Sequence, residues 1–161
     1  MQAVQGFDIY HGASTLFDLV EAKHGKRRYE LHGVVEYDVK FDTGTLHVRT
    51  EPGFIFDGRS GPAIIDFYAP NLGSLEERIG WHMHDCLGYA QSLDFWATNM
   101  ALKLWLRDMC AYRWPKPEVI RRAVSLSKSW YGVPSPDDWC VCNIGKVTTK
   151  WQNAKKGCDN V

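Results

Sequence analysis

A single switch of hydrophobic period divides this chain near residue 74, and it restricts the fold more than any other feature. Before it, apolar positions recur every second residue. Tyr29, Leu31, Gly33 and Val35 alternate with Glu30, His32, Val34 and Glu36, and the pattern runs on through Tyr37, Val39 and Phe41. That alternation belongs to strands with one buried face. Asp42-Thr43-Gly44-Thr45 is a turn signal, and Leu46, Val48 and Phe54-Ile55-Phe56 continue beyond it, broken by Pro52-Gly53. Residues 28–56 therefore read as a hairpin followed by a further strand. Residues 1–26 read as an irregular entry segment with one short helix. Ser14 would cap it, Lys23 would end it, and Leu16, Phe17, Leu19 and Val20 would form its apolar face.

From Ser74 the period becomes helical. Ser74-Leu75-Glu76-Glu77 is a capping-box pattern, and a helix is expected to about Tyr89. A second is expected from Asp94 to Cys110, with Phe95, Thr98, Leu102, Trp105, Leu106 and Met109 on one stripe. Trp114-Pro115-Lys116-Pro117 stops it and opens a third, which is expected to end near Gly132 before Val133-Pro134-Ser135-Pro136. Strands first and helices after, without βαβ alternation, predict an α+β fold: a small antiparallel sheet packed on a bundle of about three helices. The expected limits are one domain over 1–136, with its core at 28–132 and its extension at 1–26. A polar tail without clear period follows over 137–161.

The loop between the two halves, residues 57–73, is rich in Gly, Pro and Asp. Five cysteines, an odd number, with no signal-like N-terminus, point to reduced thiols in a cytosolic setting and to no secretion. Cys140-Val141-Cys142 is spaced too closely for a zinc knuckle, which leaves these cysteines as small core residues. Lys and Arg balance Asp and Glu at 19 each, so phosphate-driven nucleic-acid binding is not expected. No run has the roughly 20 apolar residues of a membrane span. Seven each of Trp, Tyr and Phe exceed what one core takes, so some should face a partner, with Trp139 and Trp151 in the polar tail the best placed.

The chemistry-bearing segment is Trp81-His82-Met83-His84-Asp85-Cys86-Leu87-Gly88-Tyr89. His84 is a base near neutral pH, and Asp85 is a permanent acceptor or a ligand for a hard cation such as calcium; zinc is the other divalent ion to consider. Tyr89, one turn on, is placed to donate to Asp85. A short link over Ala90 to Leu93 should fold the second helix back antiparallel and bring Asp94, or Asn99 one turn further, across from His84. An acceptor there would orient the ring as a general base requires. Gly53-Phe54-Ile55-Phe56-Asp57-Gly58-Arg59-Ser60-Gly61-Pro62 adds a loop in which Asp57, Gly58, Arg59 and Ser60 offer polar groups to a ligand. Asp57 and Ser60 are equally suited to bonding their own backbone as turn residues. His82 points to another face than His84, and a His82–Cys86 pair has metal-ligand spacing without a second pair to complete it.

These motifs resemble the phage and bacterial family catalogued as domain of unknown function 1353, over roughly residues 28–132. Its pattern is a strand ending Gly-Phe-x-x-Asp-Gly-x-Ser-x-Pro, then a His-Asp-x-Leu-Tyr-like helix, then a helix with Ala-Asp or Ala-Asn. Here His84-Asp85-Cys86-Leu87-Gly88-Tyr89 is one residue longer before the Tyr, and Thr98-Asn99 stands for the third motif. The resemblance implies a tailed-phage setting and this fold, but no activity. A weaker similarity is to the secreted phospholipases A2, in which a His-Asp helix activates water beside a calcium-binding Gly-rich loop; the disulfide framework of those enzymes is absent here. The expectation is an accessory or virion-associated protein of the phage head or tail, meeting other virion proteins or its own copies. The alternatives are a small metal-assisted hydrolase of esters, amides or phosphodiesters with His84 as base, and an inhibitor of a host protein.

Overall fold

A computed structural model describes residues 3–9, 17–23, 26–56, 74–125, 143 and 145–153. In chain order it contains β1 (Val4–Ile9), β2 (Phe17–Lys23), β3 (Lys26–Leu31), β4 (Val35–Phe41), β5 (Gly44–Thr50) and β6 (Ile55–Phe56). Then come α1 (Leu75–Ala90), α2 (Phe95–Asp108), α3 (Lys116–Ser125) and β7 (Val147–Asn153). The arrangement is α+β. A four-stranded antiparallel sheet has the order β1-β4-β5-β7, and a three-stranded one the order β2-β3-β6.

The central hairpin follows from its alternation. Val35, Tyr37, Val39 and Phe41 on β4, and Leu46 and Val48 on β5, point inward and are buried. The outward residues pair across the ladder, His47 with Asp38 at 2.8 Å and Arg49 with Glu36. Such pairs hold register, because a one-residue slip would turn every apolar side chain to the wrong face.

Three elements differ from the sequence expectation. The helix expected from Ser14 to Lys23 is, over its described part, the strand β2. Its residues pair with β3 from Phe17 opposite Leu31 to Lys23 opposite Lys26, and Ser14 lies outside the described residues. The consecutive apolar pair Leu19-Val20 looked helical, but the register shifts between Leu19 and Glu21, so a bulge absorbs the extra residue. The entry segment expected as irregular contains β1, which pairs with β4 and sets Phe7 against Trp105, ring centroids 5.1 Å apart. The expected tail contributes β7, paired along β5 from Gly44 opposite Asn153 to Thr50 opposite Val147. Most β7 side chains are exposed, so no apolar alternation marks it; the β-branched Val147, Thr148 and Thr149 were its only local sign.

The helices begin where their caps lie. Ser74 Oγ accepts from the Glu77 amide at 3.2 Å, and Asp94 Oδ1 accepts from the Ala97 amide at 2.7 Å. Between them Gln91 takes a left-handed conformation, φ 51°, which ends α1. Contacts between α1 and α2 run in opposite senses, His84 to Asn99 and Glu76 to Trp105, so the two are antiparallel. Trp105 packs where Gly80 leaves room: a Cβ on residue 80 would stand 2.4 Å from its ring. The indole Nε1 donates to the Glu76 carbonyl at 2.8 Å. α3 begins after the cis peptide Trp114–Pro115, has Glu118 in its first turn, and its described part ends at Ser125.

The core has two parts. One joins the strands to α1 and α2 through Leu31, Val39, Leu46, Phe54, Met83 and Leu87. The other joins the three helices through Trp81, Leu102, Leu106, Ile120, Ala123 and Val124. The helix α1 lies between them, and every residue from Ile79 to Gly88 is buried. Among the described residues no helix is long and apolar enough to cross a membrane.

Candidate functional site

A helix buried on all sides must satisfy any polar group it carries, because an unpaired one costs several kcal/mol. The two histidines of α1 find their partners on opposite faces, while Asp85 Oδ2 is buried without a hydrogen bond. Residues two apart on a helix point about 200° apart. His82 therefore faces the strands, and His84 faces α2.

On the strand side, His82 sits among three aromatic rings. Phe56, Phe54 and Tyr37 meet it edge-on, with centroids 5.2, 5.5 and 6.3 Å away. Burial among them lowers its pKa from 6.5 to about 3, so the imidazole is neutral. Cys86 Sγ lies 3.3 Å from His82 Nε2 and 3.4 Å from Thr50 Oγ1. Burial pushes the Cys86 thiol up, which makes it a core group and not a nucleophile at neutral pH. Tyr37 is likewise raised by burial, with smaller contributions from Cys86 and Asp85. Cys86 and Cys110 are both free thiols.

On the helix side, His84 Nε2 lies 2.9 Å from Asn99 Oδ1, and Nδ1 lies 3.3 Å from Asp85 Oδ1. The Asn99 amide donates from Nδ2 to Ser125 Oγ at 3.2 Å, and Ser125 Oγ donates to the Arg121 carbonyl at 2.8 Å. This chain determines where protons sit. A serine hydroxyl has one proton, and here it goes to Arg121; toward Asn99 it only accepts. The amide therefore turns its NH2 to Ser125 and its oxygen to His84, so Nε2 carries a proton. The other ring nitrogen, Nδ1, faces the Asp85 carboxylate from the neighbouring position on α1.

Of the residues singled out in the sequence, His84, Asp85 and Asn99 come together. Asp94 does not join them; its carboxylate is spent on the α2 cap. Tyr89 is half-buried against Phe54, ring centroids 6.1 Å apart. Asp57, Gly58, Arg59 and Ser60 lie outside the described residues, as does Trp139. The strand leading into that loop is firmly held. Asn143 Oδ1 accepts from the Ile55 amide at 2.8 Å, and its Nδ2 donates to the Ile55 carbonyl at 2.7 Å. Trp151 is exposed on β7, its ring 5.2 Å from that of Phe41. Among the described residues, no group of three or more His, Cys, Asp and Glu is placed to hold a metal ion.

Sequence reasoning missed Ser125, which completes the His84 chain, and Tyr37 and Thr50, which complete the His82 surroundings. Ser125 had no local signal, since its place beside Asn99 depends on how α3 packs on α2. Thr50 ended a run of inward-facing apolar positions and was readable only as another of them.

No family model, curated protein or solved structure matches this chain.

Proposed function

We propose that this chain is an accessory, virion-associated protein of a tailed phage and works by binding rather than by catalysis. The observation that carries the non-catalytic reading is the commitment of His84. Both ring nitrogens face internal partners, and only 3% of the side chain is exposed. A general base needs one nitrogen within reach of a substrate proton. A ring held by α1 and α2, with α3 behind, instead locks three helices together. Exposed large apolar side chains supply what a partner protein would meet: Trp114, 85% exposed, with Trp96, Trp151 and Met109. The phage setting rests on the motif resemblance at residues 53–62, 84–89 and 98–99.

Mass spectrometry of purified virions of the phage encoding this chain tests the assignment. The protein is expected at a fixed ratio to the major capsid or tail protein, and its absence from washed particles would refute a virion role. His84→Ala separates lock from catalyst. Removing the ring takes a buried partner from Asn99 Oδ1 and from Asp85 Oδ1 and should cost roughly 1–3 kcal/mol of stability for each acceptor that is not re-satisfied.

The orientation of His84 favours one rival. With Nε2 donating to Asn99, the basic nitrogen is Nδ1, next to Asp85, which is the arrangement a metal-assisted hydrolase would use. In that case calcium or zinc at about 100 times its dissociation constant should stabilise the protein by roughly 2.7 kcal/mol. His84→Ala should then abolish ester, amide or phosphodiester hydrolysis without unfolding the chain.

A further inference from the structure

We propose that β7 is the surface at which two copies of this chain join, edge to edge and antiparallel, about a two-fold axis at Thr149. The proposal names a partner for the binding reading above, but it stands on strand geometry and not on the phage assignment.

Which backbone groups β7 turns outward follows from the hairpin beside it. Phe41 and Gly44 face each other across a two-residue turn, so they exchange both of their backbone bonds. Every second residue of β5 from Gly44 onward therefore points its N–H and C=O at β4. The residues between, Thr45, His47 and Arg49, point theirs at β7, where they face Gln152, Lys150 and Thr148. The Glu51 amide, which donates to the Lys146 carbonyl at 2.8 Å, continues the same alternation. Val147, Thr149, Trp151 and Asn153 are left with their backbone groups turned away from β5. No described residue bonds to them there.

The two edges of this sheet differ in kind. β1 carries a register shift between Val4 and Gly6, and a bulge of this sort blunts an edge. β7 pairs with β5 along its whole length without a break, contains no proline, and is mostly exposed. Such a strand is a template for one more strand.

The sequence of β7 says which strand fits. A formal net charge of zero sets up no long-range repulsion between copies. In an antiparallel pair of β7 strands, outward residues must meet outward residues, which leaves few registers. The longest overlap would centre on Lys150 and set that ammonium against its own copy, a destabilising contact. Centring on Thr149 removes it: Thr149 meets the partner's Thr149, Val147 meets the partner's Trp151, and Lys150 meets the partner's Thr148. Threonine pairs and aromatic–β-branched pairs are among the favourable cross-strand contacts. Trp151, packed on Phe41 but 38% exposed, would gain an apolar neighbour on its open side. A register centred on Trp151 also separates the lysines but gives up both Val147 contacts.

Light scattering of the full chain on a sizing column should give twice the 18.4 kDa of one chain. Thr149→Pro should give a single chain with its fold retained, because the amide it removes faces away from β5 and proline is tolerated at such an edge position. Thr149→Lys keeps the strand backbone and sets two ammonium groups together on the axis. It should also be monomeric, and it decides the matter if the proline variant does not fold. Ser92→Ala breaks the 2.6 Å bond between Ser92 Oγ and Thr149 Oγ1, which both variants lose as well, and should stay dimeric. In a mixture of isotope-labelled and unlabelled wild type, filtered NMR should show the Trp151 indole touching Val147 methyls. Within one chain these residues lie about 13 Å apart along the strand, so the contact must join two copies. A monomeric wild type overturns the proposal and leaves the edge to a strand of another protein. A dimer that survives both Thr149 substitutions, that is lost equally in Ser92→Ala, or that lacks the Trp151–Val147 contact overturns it too. The virion assignment is untouched by any of these results, since particle mass spectrometry tests it separately.

Discussion

Acid should destabilise this protein through His82, and the size of the effect follows from its surroundings. Walled by Tyr37, Phe54 and Phe56, the imidazole is pushed down from 6.5 to about 3 by burial and stays neutral in the fold. In the unfolded chain it takes up a proton at the ordinary value. Between those two values the unfolded state binds more protons than the native state, so stability rises with pH across that window. The contribution is complete above pH 6.5 and is lost as pH falls toward 3. At about 1.4 kcal/mol per unit, two pH units below 6.5 cost about 3 kcal/mol, a large part of the roughly 5–15 kcal/mol typical of a domain. The assay is urea unfolding at neutral pH and near pH 4.5, on the wild type and on His82→Phe, which fills the same aromatic site without a titrating group. Glu118, held well below the ordinary carboxylate range by Arg121, Arg122 and Lys103, also loses stabilisation in acid, but equally in both proteins. The variant should therefore lose about 3 kcal/mol less than the wild type over this range. Equal losses would mean that His82 takes up its proton within the fold, and the enclosed neutral imidazole would be wrong.

Other perturbations probe the packing around the site. Gly80→Ala would set a methyl 2.4 Å from a Trp105 ring already anchored to the Glu76 carbonyl, and overpacking of this kind costs roughly 1–3 kcal/mol. Better helix propensity returns about 1 kcal/mol, so a net loss is expected in thermal melts, and a rise in Tm would contradict the contact. Asn143→Ala leaves the Ile55 amide and carbonyl without their partners, at roughly 1–3 kcal/mol for each group left buried and unpaired. Asn143→Asp keeps the acceptor for the amide but sets a carboxylate against that carbonyl, and should also destabilise. Hydrogen exchange at the Ile55 amide, which loses its acceptor, should accelerate in Asn143→Ala, and unchanged protection there would rule out the clasp.

What was legible in the sequence is what short-range chemistry decides. Ser74 and Asp94 cap the amides three residues on, within reach of their own side chains, so the starts of α1 and α2 were readable. Alternation along β4 and β5 was readable because one face is buried and the other carries paired charges. With a short link between α1 and α2, antiparallel packing followed, and residue 99 came opposite residue 84. Which of Asp94 and Asn99 would meet the imidazole was not decided in advance, since Asp94 had two uses open and the cap took it. β2 and β7 were hidden for a related reason. The partner of β7 is the distant β5, and the face that β7 leaves exposed demands no apolar pattern, while β2 pairs with the next strand but its bulge breaks the alternation. The bonds around the candidate site and the strand beside it likewise join distant residues, 26 apart from Asn99 to Ser125 and 88 from Ile55 to Asn143. Period and caps report only what lies within a turn or two of the chain. Where a buried proton goes is settled by groups that meet only after the helices have packed.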